Sequence, residues 1–255
     1  MLQEVAMPLF LSVAAGGATM IGALMAVMTR CPKPKEIAFA IGFSGGVMLA
    51  VSLMDLFPHA LSVLLFELPA FAATAMAVFA CAAGMLCAQL FDVLVPENER
   101  GSIRAEQRLM RLGLFSMLAL MLHNLPEGMA VFLSASQSPK LGIQLCAAIS
   151  LHNIPEGISV AMPVYAATRR RGIALLLAGI SGAAEPMGAL LAWRFLLPVL
   201  TERGLALIFC GIAGLMSAIV VSELLPAAYD SGEKGSGVLG ALLGILLMLF
   251  NSGLF

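Results

Sequence analysis

The hexapeptide His123-Asn124-Leu125-Pro126-Glu127-Gly128 recurs as His152-Asn153-Ile154-Pro155-Glu156-Gly157. Each copy sets an imidazole, a carboxamide and a carboxylate at positions i, i+1 and i+4. On a helix turning about 100° per residue, Asn lies about 100° and Glu about 40° from His, so all three share one broad face. Imidazole suits zinc and its neighbours, while carboxylate and amide oxygens suit harder cations. A closed structural zinc site would use nitrogen and sulfur; this oxygen-rich set predicts looser selectivity. A carboxylate has two oxygens and can bridge two ions. The pattern therefore predicts one cation held by His123, His152 and the glutamates. A second is held by Asn124, Asn153 and the same Glu127 and Glu156. The plainer reading is a pair of proline-kinked helices whose polar groups only hold a bundle together, and it gives no reason for two copies with the same polar residues.

Both hexapeptides lie midway along apolar stretches. Ionisable groups at the centre of a bilayer are costly and mark ion pathways. Pro126 and Pro155 lack an N–H and predict kinks that free the carbonyls of Leu122 and Leu151. Water or a passing cation would serve those carbonyls. Gly128 and Gly157 predict close approach of neighbouring helices.

The elements that carry these motifs are legible in composition. The chain has 255 residues, 60% hydrophobic and 11% charged, against about 25% charged in a soluble domain. It is predicted to be an all-α polytopic membrane protein, one transmembrane domain over residues 1–255. A net charge of −1 offers no basis for nucleic acid as a partner. Five cysteines without a C-x-x-C pair imply no disulfide framework. The first positive charge, Arg30, follows the first apolar run, so Met1 to Arg30 does not read as a signal peptide.

Eight transmembrane spans are expected, at 5–28, 37–58, 70–92, 112–136, 141–164, 172–194, 204–229 and 237–254. Each is close to the ~20 residues that cross the hydrocarbon core. The connection between spans 2 and 3, near Glu67 to Pro69, is the least marked. Arg30, Lys33, Lys35, Arg100, Arg104, Arg108, Arg111, Arg169, Arg170, Arg171 and Lys234 fall on one side, eleven of the fourteen basic residues. Only Lys140, Arg194 and Arg203 fall on the other. Cytoplasmic loops carry the positive excess, so both termini are expected outside the cytoplasm and the 93–111 loop inside it. A seven-span chain would put the termini on opposite sides and spoil this asymmetry.

An internal repeat supports eight. Gly46, Met48, Asp55 and Pro58 of span 2 match Gly214, Met216, Glu223 and Pro226 of span 7 at one offset, 168. Gly16, Ala18, Gly22, Ala23, Leu24 and Ala26 of span 1 match Gly182, Ala184, Gly188, Ala189, Leu190 and Ala192 of span 6. Units that begin five crossings apart face opposite ways. This predicts a 3+2+3 inverted repeat of the kind found in secondary transporters, with the site near the midplane.

Other polar residues extend the site. Glu185, before Pro186 in span 6, is a candidate further ligand. Met48 in span 2 offers a thioether to a soft ion. Asp55 and His59 near the outer end of span 2, and Glu223 near the inner end of span 7, suit an entrance and an exit for cations. Asp92 and Asp230 read as solvated residues close to loops.

The paired H-N-x-P-E-G motifs, eight spans and outward termini resemble the ZIP family of divalent-metal transporters, most of all its bacterial ZupT and GufA-type branch. The resemblance covers essentially the whole chain. It implies His123, Glu127, His152 and Glu156 for one metal, with Met48 joining in some members. It implies Asn124, Asn153, the shared glutamates and Glu185 for the other. It also implies an eight-helix bundle, often a homodimer, moving metal toward the cytoplasm. Many members have a histidine-rich loop between spans 3 and 4, and residues 93–111 here contain no histidine or cysteine.

The function expected is a secondary carrier of divalent transition metals in the cell membrane. Zinc comes first, with iron, manganese, cobalt and cadmium also within its chemistry. The metal is cargo and no prosthetic group is expected; the partners are metal ions and the lipid bilayer. Two rivals differ in class. An intramembrane metalloenzyme would want H-E-x-x-H or E-x-x-H, and neither is present. A proton-coupled carrier of an organic solute would need neither the two His nor the two Asn.

Overall fold

In hydrocarbon every backbone N–H and C=O must be paired within its own segment, and the described part of this chain meets that demand with helices throughout. The computed structural model describes residues 2–28, 32–94, 105–196, 201–230 and 232–252. Helix α1 (Leu2–Met28) is followed by α2 (Pro34–Glu67), α3 (Ala70–Leu94) and α4 (Ala105–Gln137). Then come α5 (Pro139–Thr168), α6 (Arg171–Phe195), α7 (Glu202–Tyr229) and α8 (Lys234–Ser252). No strand occurs among the described residues. Helices α1, α2, α3, α4, α6 and α7 are each long and apolar enough to cross a membrane, and α8 is a shorter apolar helix. Helix α5, which carries the second hexapeptide, is the bundle's interior element, buried almost without interruption from His152 to Ala166.

Several boundaries differ from the sequence expectation. Helix α2 continues to Glu67 instead of ending at 58, because Pro58 falls just after a π-helical stretch, Val51–Leu56. Proline cannot donate to the carbonyl four residues back, and the helix absorbs the loss by widening, with Phe57 N–H reaching Ser52 O. The same device recurs in α7, where Leu225 N–H reaches Val220 O just before Pro226. Each widened stretch carries an acid, Asp55 or Glu223; such bulges are frequent at functional positions. The break near Pro69 is present, with Leu68 extended at φ −130° and ψ 153°. Helix α4 already includes Ala105, so Arg108 and Arg111 are helical and not in the loop. Arg30, Arg100 and Arg104 lie outside the described residues, as do the side chains of Asp92 and Asp230. Pro126 and Pro155 sit inside continuous helices. Leu122 and Leu151 turn to the outward face, 41% and 46% exposed.

Small residues let the helices meet backbone to backbone, and these contacts come in matched pairs. At the crossing of α1 and α6, a Cβ on Gly16 would overlap Gly182 O, and one on Gly182 would press on Gly16 O. Gly22 lies against Ile154 O, and Gly188 against Leu125 O. Gly157 lies against Thr19 O, and Gly128 against Glu185 O. Gly46 meets Ala241 O on α8, and Gly214 meets Cys81 O on α3. Helices α4 and α5 are thus clamped between α1 and α6. The largest core cluster fills the rest of the centre with Ile41, Met48, Phe115, Leu120, Met216 and Ile219 among others. Large apolar side chains such as Phe10, Phe66, Phe71, Phe79 and Phe250 face outwards.

Candidate metal centre

Consecutive antiparallel helices carrying one motif each present their polar faces to one another, and α4 and α5 do so. His123 Nε2 lies 3.1 Å from Glu127 Oε1 and 3.4 Å from Glu156 Oε1. His152 Nε2 lies 3.0 Å from the same Glu127 oxygen. The two imidazole centroids are 6.3 Å apart and tilted by 46°. One ligand atom from each of His123, His152 and Glu156 can be chosen so that all lie within 4.8 Å of one another. All four side chains are buried.

The two asparagines complete the centre by their orientation. Asn124 Nδ2 donates to Ser181 O at 3.2 Å, and Asn153 Nδ2 donates to Ala15 O at 2.9 Å. Asn153 Nδ2 also donates to Glu185 Oε1, which brings α6 into the site. With each amide group donating to a backbone carbonyl of a flanking helix, and that of Asn153 also to Glu185, the carboxamides keep their oxygens free. Asn124 Oδ1, Asn153 Oδ1, Glu127 Oε2, Glu156 Oε2 and Glu185 Oε2 are buried with no hydrogen-bond partner. Buried polar atoms are ordinarily paired, and here every unpaired one of these five is an acceptor. Three glutamates are buried, yet no Lys or Arg is buried among the described residues. A carboxylate taken out of water is costly unless a cation accompanies it. The arrangement has the chemistry of a cation receptor.

Of the other expected residues, Glu185 is in the cluster, fully buried. Met48 is buried in the central core, packed in the cluster that also holds Ala119 and Leu120 of α4. Asp55 and His59 line a cavity of about 610 Å³ that also reaches Glu127 and His152. Its lining extends to Gln137 and Glu202, at the ends of α4 and α7. Glu223 is in an ion pair: its Oε2 is 3.0 Å from Arg111 Nη1, and Arg111 also covers the Phe115 ring at 5.8 Å. Gln137 and Glu202 carry no mark in the sequence that would set them apart from other polar residues at the ends of apolar runs. The carbonyls of Ala15 and Ser181 likewise leave no mark in side-chain chemistry.

An all-α polytopic membrane protein built around a buried, acceptor-rich centre, with a cavity leading to it from one end, has the design of a cation carrier. The chain belongs to the ZIP family: the family model described as ZIP Zinc transporter matches residues 97–252. Its relatives include three proteins named zinc transporter ZupT. That of Chlorobium limicola is 43% identical over 94% of each chain. That of Streptococcus mutans is 38% identical over 96% of each. That of Corynebacterium aurimucosum is 40% identical over 100% of this chain and 99% of the relative. Family membership also removes the enzyme alternative, since these proteins are membrane transporters.

Proposed function

We infer that this protein is a secondary transporter that carries divalent transition-metal ions, zinc foremost, toward the cytoplasm through a binuclear site between α4 and α5. The observation that carries this reading is the set of five unpartnered buried acceptor oxygens beside two facing imidazoles. One ion is held by His123, His152, Glu127 and Glu156, with Met48, buried in the central core, as the further soft ligand. The other is held by Asn124, Asn153, Glu185 and the same two glutamates. Two divalent cations would offset the buried carboxylates, and soft and hard donors side by side accommodate iron, manganese, cobalt and cadmium as well. The zinc-transporter names of relatives that align along nearly the whole chain support zinc as the first cargo. The protein is an integral multi-pass protein of the cell membrane.

All eight helices cross that membrane in this reading, with both termini outside, following the bias of basic residues toward the cytoplasmic face. The matched contacts of α1 with α5 and of α6 with α4 support a 3+2+3 inverted repeat. The cavity at Asp55 and His59 then faces outwards, and the Arg111–Glu223 pair closes the inward side. Ions gather in the cavity, rest at the centre and leave once that pair parts.

Entrance and exit have separable kinetic signatures in zinc uptake by proteoliposomes. Asp55→Asn combined with His59→Ala is expected to raise the half-saturating zinc concentration by a factor of a few at an unchanged maximal rate, since a charged funnel raises local cation concentration. Glu223→Gln is expected to lower the maximal rate and leave half-saturation in place. If both variants moved the same parameter, the assignment of opposite ends would be wrong.

A further inference from the structure

The paired contacts single out a residue that no motif marks. Residues 15, 16, 19 and 22 of α1 stand toward α5 as residues 181, 182, 185 and 188 of α6 stand toward α4. Asn153 donates to Ala15 O, and Asn124 to Ser181 O. Gly157 packs on Thr19 O, and Gly128 on Glu185 O. A Cβ on Gly16 would come within 3.3 Å of Glu185 Cβ, and one on Gly182 within 3.1 Å of Thr19 Cβ. Thr19 is therefore the counterpart of Glu185 across the pseudo-two-fold axis, one turn beyond the carbonyl that orients Asn153.

Its hydroxyl shares the status of the five acceptors of the centre, as do those of Ser116, Ser181 and Ser217, but of these four only Thr19 is the counterpart of Glu185. Thr19 is fully buried, and Oγ1 has no hydrogen-bond partner. A helical threonine can bond the carbonyl four residues back, but here that carbonyl, Ala15 O, accepts from Asn153 instead. The hydroxyl oxygen has lone pairs to offer. Counted with Asn124, Asn153, Glu127, Glu156 and Glu185 it would bring the oxygen donors of the second position to six, the number at which hard divalent ions begin to be fully coordinated.

We propose that the Thr19 hydroxyl is a ligand of the second cation, facing Glu185 across the site, and that its neutrality sets the charge of that position. This rests on the binuclear reading above and adds a selectivity-determining residue to it. A carboxylate there would make the two halves chemically alike and hold a doubly charged ion more tightly. A hydroxyl in its place keeps the second ion exchangeable.

The test is zinc binding to the purified full-length protein in detergent, stripped by a chelator and then titrated, for wild type, Thr19→Val and Thr19→Ser. Valine keeps the shape and removes the oxygen; serine keeps the oxygen. Two ions bound by wild type, with the weaker one weakened further by about tenfold in Thr19→Val and restored in Thr19→Ser, is the expected result; tenfold is the scale of one lost polar contact to a charged group. Melting temperatures of the metal-free proteins should agree. Two ions bound to Thr19→Val with wild-type affinities would overturn the proposal and leave the binuclear site standing. Equal weakening of both ions together with a lowered metal-free melting temperature would make Thr19 a packing residue only. A wild type that binds no zinc would remove the binuclear reading itself and this inference with it.

Discussion

Glu127→Ala and Glu156→Ala are each expected to reduce zinc uptake to the level of empty liposomes, at equal membrane abundance. The reason is shared use. Glu127 Oε1 is within 3.1 Å of both histidines, at His123 Nε2 and His152 Nε2, while its second oxygen is buried and unpartnered. Glu156 has the same division, with Oε1 toward His123 and Oε2 unpartnered. Removing either carboxylate takes a donor from both cations and leaves the remaining acceptors still buried. Disturbing a group that merely orients a ligand costs about 10–100-fold in metal affinity; loss of a bridging ligand should exceed that. Glu127→Gln keeps the volume and one oxygen but loses the charge, and it should fail almost as completely. Normal uptake by either alanine variant would contradict the shared bridge.

The second large effect is on architecture. Gly128→Ala adds one methyl group in contact with the backbone of Glu185, at its carbonyl oxygen and carbon. Backbone cannot rotate aside as a side chain can, so α4 and α6 must separate. Overpacking costs about 1–3 kcal/mol and sometimes more, and this site should lie at the upper end. The displaced residue is itself a candidate ligand, so the same variant should bind zinc more weakly. Gly17→Ala is the matched control, because a Cβ there meets nothing within 4 Å. It should be neutral or stabilising, by up to roughly 0.5–1 kcal/mol, since glycine weakens a helix interior. Thermal melting of the detergent-solubilised proteins tests both, and equal melting temperatures for wild type and Gly128→Ala would refute the close-contact argument.

Much of this structure was legible in the residues because the bilayer imposes simple rules. Long apolar runs became helices, and the doubled hexapeptide placed His123, Glu127, His152 and Glu156 together as its spacing required. Glu185, an isolated acid in an apolar span, also found its place. The failures have physical causes. Hydropathy marks the edge of hydrocarbon and not the end of a helix, so α4 was expected to start late and α2 to stop early. Pro126 and Pro155, where kinks are expected, sit inside continuous helices, and at Pro58 and Pro226 the helix widens into a π turn and continues. Glu223 is expected at an exit, but that it is paired is not legible, because its partner Arg111 lies 112 residues away in sequence, beyond any local pattern. The orientation of the two carboxamides depends on backbone carbonyls of α1 and α6, which every residue possesses and no sequence distinguishes. Thr19 is hidden for a similar reason: among glycines and alanines a lone threonine looks like ordinary packing until its counterpart across the axis is seen to be a glutamate.

The most direct measurement is uptake of radiolabelled zinc into sealed proteoliposomes by wild type and by His123→Ala. The expected result is saturable uptake by wild type that His123→Ala loses, because that imidazole lies within 3.4 Å of both bridging glutamates. Uptake retained in full by His123→Ala would contradict a transport path through this centre, and no uptake by wild type would contradict transport of zinc altogether.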